Sequence, residues 1–172
     1  MLVLLKLLQS LVRTLHSEGT PAQIASGIAL GAALGLTPLF SLHNLFVIAA
    51  LALLNVSFGA GLLGLTLFTP VGFLLDALFD RVGNALLLRV ESLRPVWEFA
   101  DATPGVAWFN LNNTVVLGSI VGWLILFVPI YLLARAGVVR YRATVGERIA
   151  KTRFYKAIRA SRAYNVYRWF RE

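Results

Sequence analysis

Few residues of this 172-residue chain are suited to chemistry, and most of those carry no charge. Thr37, Pro38, Ser41, His43, Asn44 and Asn55 all lie within Gly19 to Leu75, a run of 57 residues without Asp, Glu, Lys or Arg. On a helix, separations of three and eleven residues return close to the starting angle. Ser41, Asn44 and Asn55 therefore fall near one face, with His43 about 100° away. Polar side chains in so apolar a setting face a bundle interior or a cavity. One reading is a polar lining with Thr37 at its mouth; the other is hydrogen bonding between helices, at about 1 kcal/mol per residue. His43 has no Asp, Glu or Cys nearby in sequence, so neither a metal site nor a cofactor is expected.

Asp76 and Asp80 are one helical turn apart, with Asn84 on the same face. They read either as the polar side of an interfacial helix over Asp76 to Ser92 or as a carboxylate pair handling protons or cations. There is no Ser-His-Asp order, no glycine-rich phosphate loop ahead of a lysine and no clustered ligand set. Cysteine is absent, which removes disulfides, thiolate zinc, iron–sulfur clusters and a thiol nucleophile. An enzyme is not expected.

The elements that must position these residues are written in the composition. Apolar residues make up 58% and charged residues 14%, against about 25% charged in a typical soluble domain. Mean hydropathy is +0.75 and the pI about 10.6. Such a chain is neither disordered nor an ordinary cytosolic enzyme. Its net charge of +8 is unevenly spread. From Arg135 onward eleven Lys and Arg meet only Glu147 and Glu172, so the tail carries +9 and everything before it −1.

The charges order the chain into five segments. Residues 1–18 read as an amphipathic helix, with Lys6, Gln9, Ser10, Arg13 and Ser17 on one face, suited to lying in a membrane interface; Lys6 interrupts the apolar region that a signal peptide would need. Residues 19–75 form a glycine-rich membrane block. Its pieces Pro21–Leu36 and Leu39–Leu54 reach only about 24 Å each, short of the roughly 30 Å of a bilayer core. They predict a re-entrant hairpin over 21–54 with Thr37-Pro38 at its tip, followed by a span over 56–75; three short tilted crossings are the alternative. Residues 76–111, net −2, are expected outside, with Trp97, Trp108 and Phe109 at headgroup level. Residues 112–134 predict a transmembrane helix that Pro129 kinks. Residues 135–172 form the basic tail, partly helical, in which Arg148, Lys151, Arg153, Lys156, Arg159 and Arg162 are expected to contact anionic lipid. Basic residues stay on the cytoplasmic side, so both termini are expected there. Gly27, Gly31 and Gly35, spaced by four, line one helix face and admit another backbone, either within the chain or between copies.

The segment Ala25–Asn44, containing Gly35-Leu-Thr-Pro-Leu-Phe-Ser-Leu-His-Asn44, resembles an uncharacterised family of small bacterial inner-membrane proteins, as do Asn112–Gly118 and the basic aromatic tail. The family lies within a larger domain-of-unknown-function group. The resemblance implies bacteria with an outer membrane, and often a two-gene pair whose other product is a large envelope protein. It implies no activity, catalytic residue or ligand.

The expectation is therefore an all-α integral membrane protein of the bacterial inner membrane, built from short re-entrant helices plus two full spans, with an N-terminal amphipathic helix and a basic tail. Its expected role is a non-enzymatic subunit that docks a larger envelope partner in lipid transport, with contacts to phospholipid and none to nucleic acid. A homo-oligomeric channel or transporter for small solutes or ions is the alternative.

Overall fold

The computed structural model describes residues 19–146, with side chains as far as Thr144. The N-terminal segment and the tail arginines and lysines from Arg148 onward lie outside the described residues. Among the described residues five α-helices follow one another: α1 (Pro21–Leu36), α2 (Leu42–Leu53), α3 (Phe58–Asn84), α4 (Arg94–Ala102) and α5 (Thr114–Tyr141). Among the described residues there is no β-strand. The helices α3 and α5, each extended by a π-helical turn, are long and apolar enough to cross a membrane, whereas α1 and α2 are shorter apolar helices.

Each major start has a local cause. Pro21 opens α1 behind a reciprocal cap, in which the Thr20 hydroxyl accepts from the Gln23 N–H and the Gln23 side chain accepts from the Thr20 N–H. Ser57 caps α3 and Asn113 caps α5 through their side chains.

The core is α1 wedged between α3 and α5. Contacts pair Gly31 with Gly61, Ile28 with Gly64, and Gly35 and Leu36 with Gly72, so α1 and α3 run parallel. The helix α5 runs against both: Gly118 lies on Phe79 near one end, and Val138 meets Ile24 and Ala60 near the other. Between them Ile130 packs with Ala29, Ala32, Leu36 and Phe79. Pairing of residue 79 with 118 and of residue 60 with 138 brings Pro70 and Pro129 to one level. Both prolines are exposed. Helices bend convex on the side where the ring removes a hydrogen bond, so outward prolines let both long helices curve around the short one.

Two glycine seams set how close the helices come. A Cβ at Gly31 would fall on the Gly61 carbonyl, and one at Gly118 on the Phe79 carbonyl. Trp123 adds a polar tie across the wedge, donating to the Ala29 carbonyl at 2.9 Å. Outside it lies α2, where only Asn44 and Leu51 are buried.

Several boundaries differ from those read in the sequence. The span over 56–75 does not stop where charge begins, because α3 continues through Asp76 and Asp80 to Asn84. The interfacial helix expected over Asp76 to Ser92 is thus the upper part of α3, ended by Val90 at φ −100°, ψ 86°. Its buried residues Phe79 and Gly83 pack on α5, and that packing carries the helix past the carboxylates. Likewise α5 continues beyond 134 to Tyr141, since Val138 is buried against Ile24 and Ala60.

Candidate functional site

The turn between α1 and α2 gathers most of the polar residues singled out above. Thr37 ends α1: its N–H and its hydroxyl both reach the Ala33 carbonyl, at 3.0 and 2.8 Å. The same hydroxyl lies 2.9 Å from Asn44 Oδ1, a shared contact for its single proton. The Asn44 amide donates to the carbonyls of Pro38 at 2.8 Å and Leu39 at 3.1 Å. With 2% exposure Asn44 is buried, and both ends of its amide are engaged. Asn44 is a clasp closing the turn.

Ser41 sits at the N-cap of α2 with 8% exposure, and its side chain makes no capping hydrogen bond. Both ring nitrogens of His43 are buried without a partner. Pro38, Leu39 and Phe40 are exposed, Phe40 completely.

Asn55 is not part of this group, contrary to its placement on the same helix face as Ser41 and Asn44. The helix α2 ends at Leu53, and the Asn55 side chain accepts from Gln23 Nε2 at 2.7 Å. From Gln23 to Thr37 the rise along α1 is about 21 Å, so the polar centre divides into a tip and a base. At the base Ser57 N–H donates to the Gln23 carbonyl at 3.1 Å, and Arg142 Nη2 to the Gly19 carbonyl at 2.8 Å. Gly27, Gly31 and Gly35 face α3 between these two ends.

The carboxylates lie beyond the tip. Asp80 accepts a hydrogen bond from the Thr114 hydroxyl, tying α3 to the start of α5. Trp97 donates to the Leu86 carbonyl at 3.2 Å and folds α4 back on the end of α3. Phe109 then stacks on Phe46 of α2 with centroids 5.7 Å apart. Among the described residues no group of three or more His, Cys, Asp or Glu is placed to hold a metal.

The sequence reading passed over Gly72, Gly83, Gly118 and Gly122, which complete the two seams. The four-residue spacing of Gly118 and Gly122 is the signal that flags them; Gly83 stands alone and has none.

Over the described residues these features define an all-helical protein with two helices long and apolar enough to cross a membrane. Residues 6–145 match a family described as "Uncharacterized protein conserved in bacteria (DUF2062)", and the chain belongs to it. An uncharacterized protein of Treponema pallidum (strain Nichols) is 31% identical over 156 residues, covering 91% of this chain and 96% of that protein. No solved structure matches.

Proposed function

We propose that the chain is a non-catalytic, multi-pass subunit of the bacterial inner membrane that docks a larger envelope partner and serves lipid transport. The observation that carries this reading is the division of its surfaces. The polar groups of Thr37 and Asn44 are spent on the turn itself, which argues for a rigid insert rather than a conduit. Large apolar side chains meanwhile point outward on α3 (Leu62, Leu67, Phe73, Leu74) and on α5 (Leu124, Ile125, Val128, Leu133). Burying such side chains in hydrocarbon is favourable at about 1.5–3 kcal/mol each.

In this reading the base is cytoplasmic and the Asp76 to Asn113 region lies on the outer side, as the +9 tail supports. Gly72 packs against Leu36, and Asp76, the first charge on α3, follows one turn later, about 6 Å higher. The hairpin tip then sits just inside the outer headgroup layer rather than at the bilayer midplane.

Affinity purification of the tagged chain from native membranes tests the proposal. Recovery of a large envelope protein together with phospholipid is the expected result. Recovery of neither overturns it. Ion or solute flux through liposomes containing the purified chain, abolished by Asn44→Leu, would replace it with a channel.

A further inference from the structure

Of the three aromatic residues expected at headgroup level, two are turned to the protein. The Trp97 indole donates to the Leu86 carbonyl at the end of α3, and the Phe109 ring stacks on Phe46 of α2. Trp108 is left open, at 73% exposure. The segment from α4 to Phe109 is therefore fastened at one end to the top of α3 and at the other to α2.

Between those fastenings α4 has three faces, read at 3.6 residues per turn. Trp97 and Ala100 share the inward face, where Ala100 is buried and Trp97 makes its hydrogen bond. Arg94, Glu98 and Asp101 share a second face, on which Arg94 and Glu98 pair at 3.0 Å with both side chains largely in solvent. Val96 and Phe99 form the third, about 160° from the centre of the charged one. They stand 51% and 69% exposed. An apolar face set against a charged one is the pattern of a helix that lies in a membrane interface.

Two observations say what covers the apolar face. First, α2 carries Leu45, Phe46 and Ile48 outward, and in the membrane placement proposed above it descends from the outer headgroup layer. From Ser41 to Phe46 the descent is only about 7 Å. The stack of Phe109 on Phe46 thus brings the neighbouring Trp108 to that layer, where an indole is favoured. Second, the one cation of α4, Arg94, is already paired with Glu98, and the charged face points away from Val96 and Phe99. Attachment on this side depends on inserted apolar surface and not on headgroup charge.

We infer that α4 and Trp108 form an interfacial anchor, in which Val96, Phe99 and Trp108 enter the headgroup–acyl boundary of the outer leaflet while Arg94, Glu98 and Asp101 stay in water. The inference deepens the lipid reading and rests on its membrane placement. Its partner is a phospholipid surface, neutral or anionic alike, in contrast to the anionic lipid expected at the basic tail.

The chain contains no cysteine, so a single introduced cysteine carries a single nitroxide label. Val96→Cys, Phe99→Cys and Trp108→Cys report on the anchor, Glu98→Cys and Asp101→Cys on the charged face, and Val128→Cys on the outward side of α5. The full chain is reconstituted in phosphatidylcholine vesicles and, separately, in vesicles containing phosphatidylglycerol. Electron paramagnetic resonance reads collisions with oxygen, which concentrates in hydrocarbon, and with a water-soluble nickel chelate. The oxygen-to-nickel ratio is expected to be at least about threefold higher at 96, 99 and 108 than at 98 and 101, in both kinds of vesicle. Thermal melting of each labelled variant checks the fold, and agreement among the three anchor positions keeps any one substitution from deciding the result. Labels at 96 and 99 as open to the chelate as those at 98 and 101 overturn the inference. So do labels shielded from both reagents, which would mean that a protein covers this face, and insertion confined to phosphatidylglycerol vesicles, which would mean that charge selects the surface. A Val128 label open to the chelate overturns the membrane placement itself; a Val128 label in hydrocarbon with 96 and 99 in water overturns the anchor alone.

Discussion

The α1–α3–α5 wedge and the α2 arm are both apolar and helical, yet they are held by different physics. In the wedge, backbone lies against backbone: Gly31 on Gly61, Gly118 on Phe79, Gly83 on Thr114. Close approach gives many small dispersion contacts and leaves no room to adjust. The arm is attached by the Asn44 clasp, by Leu51 over Gly61, and by the Phe46–Phe109 stack. Similar composition is thus expected to yield one rigid unit and one that opens at a lower free energy.

The comparison is most sharply broken at the seams. Gly31→Val is expected to destroy the fold at a cost above about 4 kcal/mol, because the new side chain displaces backbone rather than a flexible neighbour; loss of a monodisperse detergent-purified species would show it, and a stable variant would refute the seam. Next, Asn44→Leu frees the carbonyls of Pro38 and Leu39 and costs about 3 kcal/mol. Hydrogen exchange should then rise across 38–54 while α3 and α5 stay protected; uniform loss of protection would show that arm and wedge are one unit. Trp123→Phe removes the bond to Ala29 while keeping most of the ring, for a loss of about 1 kcal/mol in thermal melting. Smallest is Gly137→Ala: a Cβ there meets nothing within 4 Å among the described residues, so the helix gains about 0.8 kcal/mol from propensity alone. Any loss at Gly137 would show that this face of α5 is covered by something outside the described residues.

Helix starts were legible because their causes are local. Thr20, Pro21 and Gln23 specify the beginning of α1 within four residues, and Asn113 opens α5 in the same way. Helix ends were less so. Charges at Asp76 and Arg135 suggested boundaries, but burial of Phe79 and Gly83 and of Val138 prolonged both helices. That burial depends on residues more than thirty positions away. Within the candidate site, Thr37 and Asn44 could be grouped from spacing, since they are seven residues apart and joined by one turn. The separation of Asn55 could not be read, because its partner Gln23 lies 32 residues earlier in the chain.

By itself, then, the sequence determined the all-helical class, the two long apolar helices, the division between a −1 body and a +9 tail, and the glycines that permit close packing. Those properties are sums or short-range patterns, and they survive any arrangement of the helices. Only the tertiary structure decided that α1 and α3 run parallel with α2 turned back outside them, that Gly31 meets Gly61 of the same chain, and that the Asn44 amide closes the turn onto the carbonyls of Pro38 and Leu39. The reason is that a small or polar residue specifies what it tolerates but not which neighbour it meets, and that choice is fixed by the packing of distant segments.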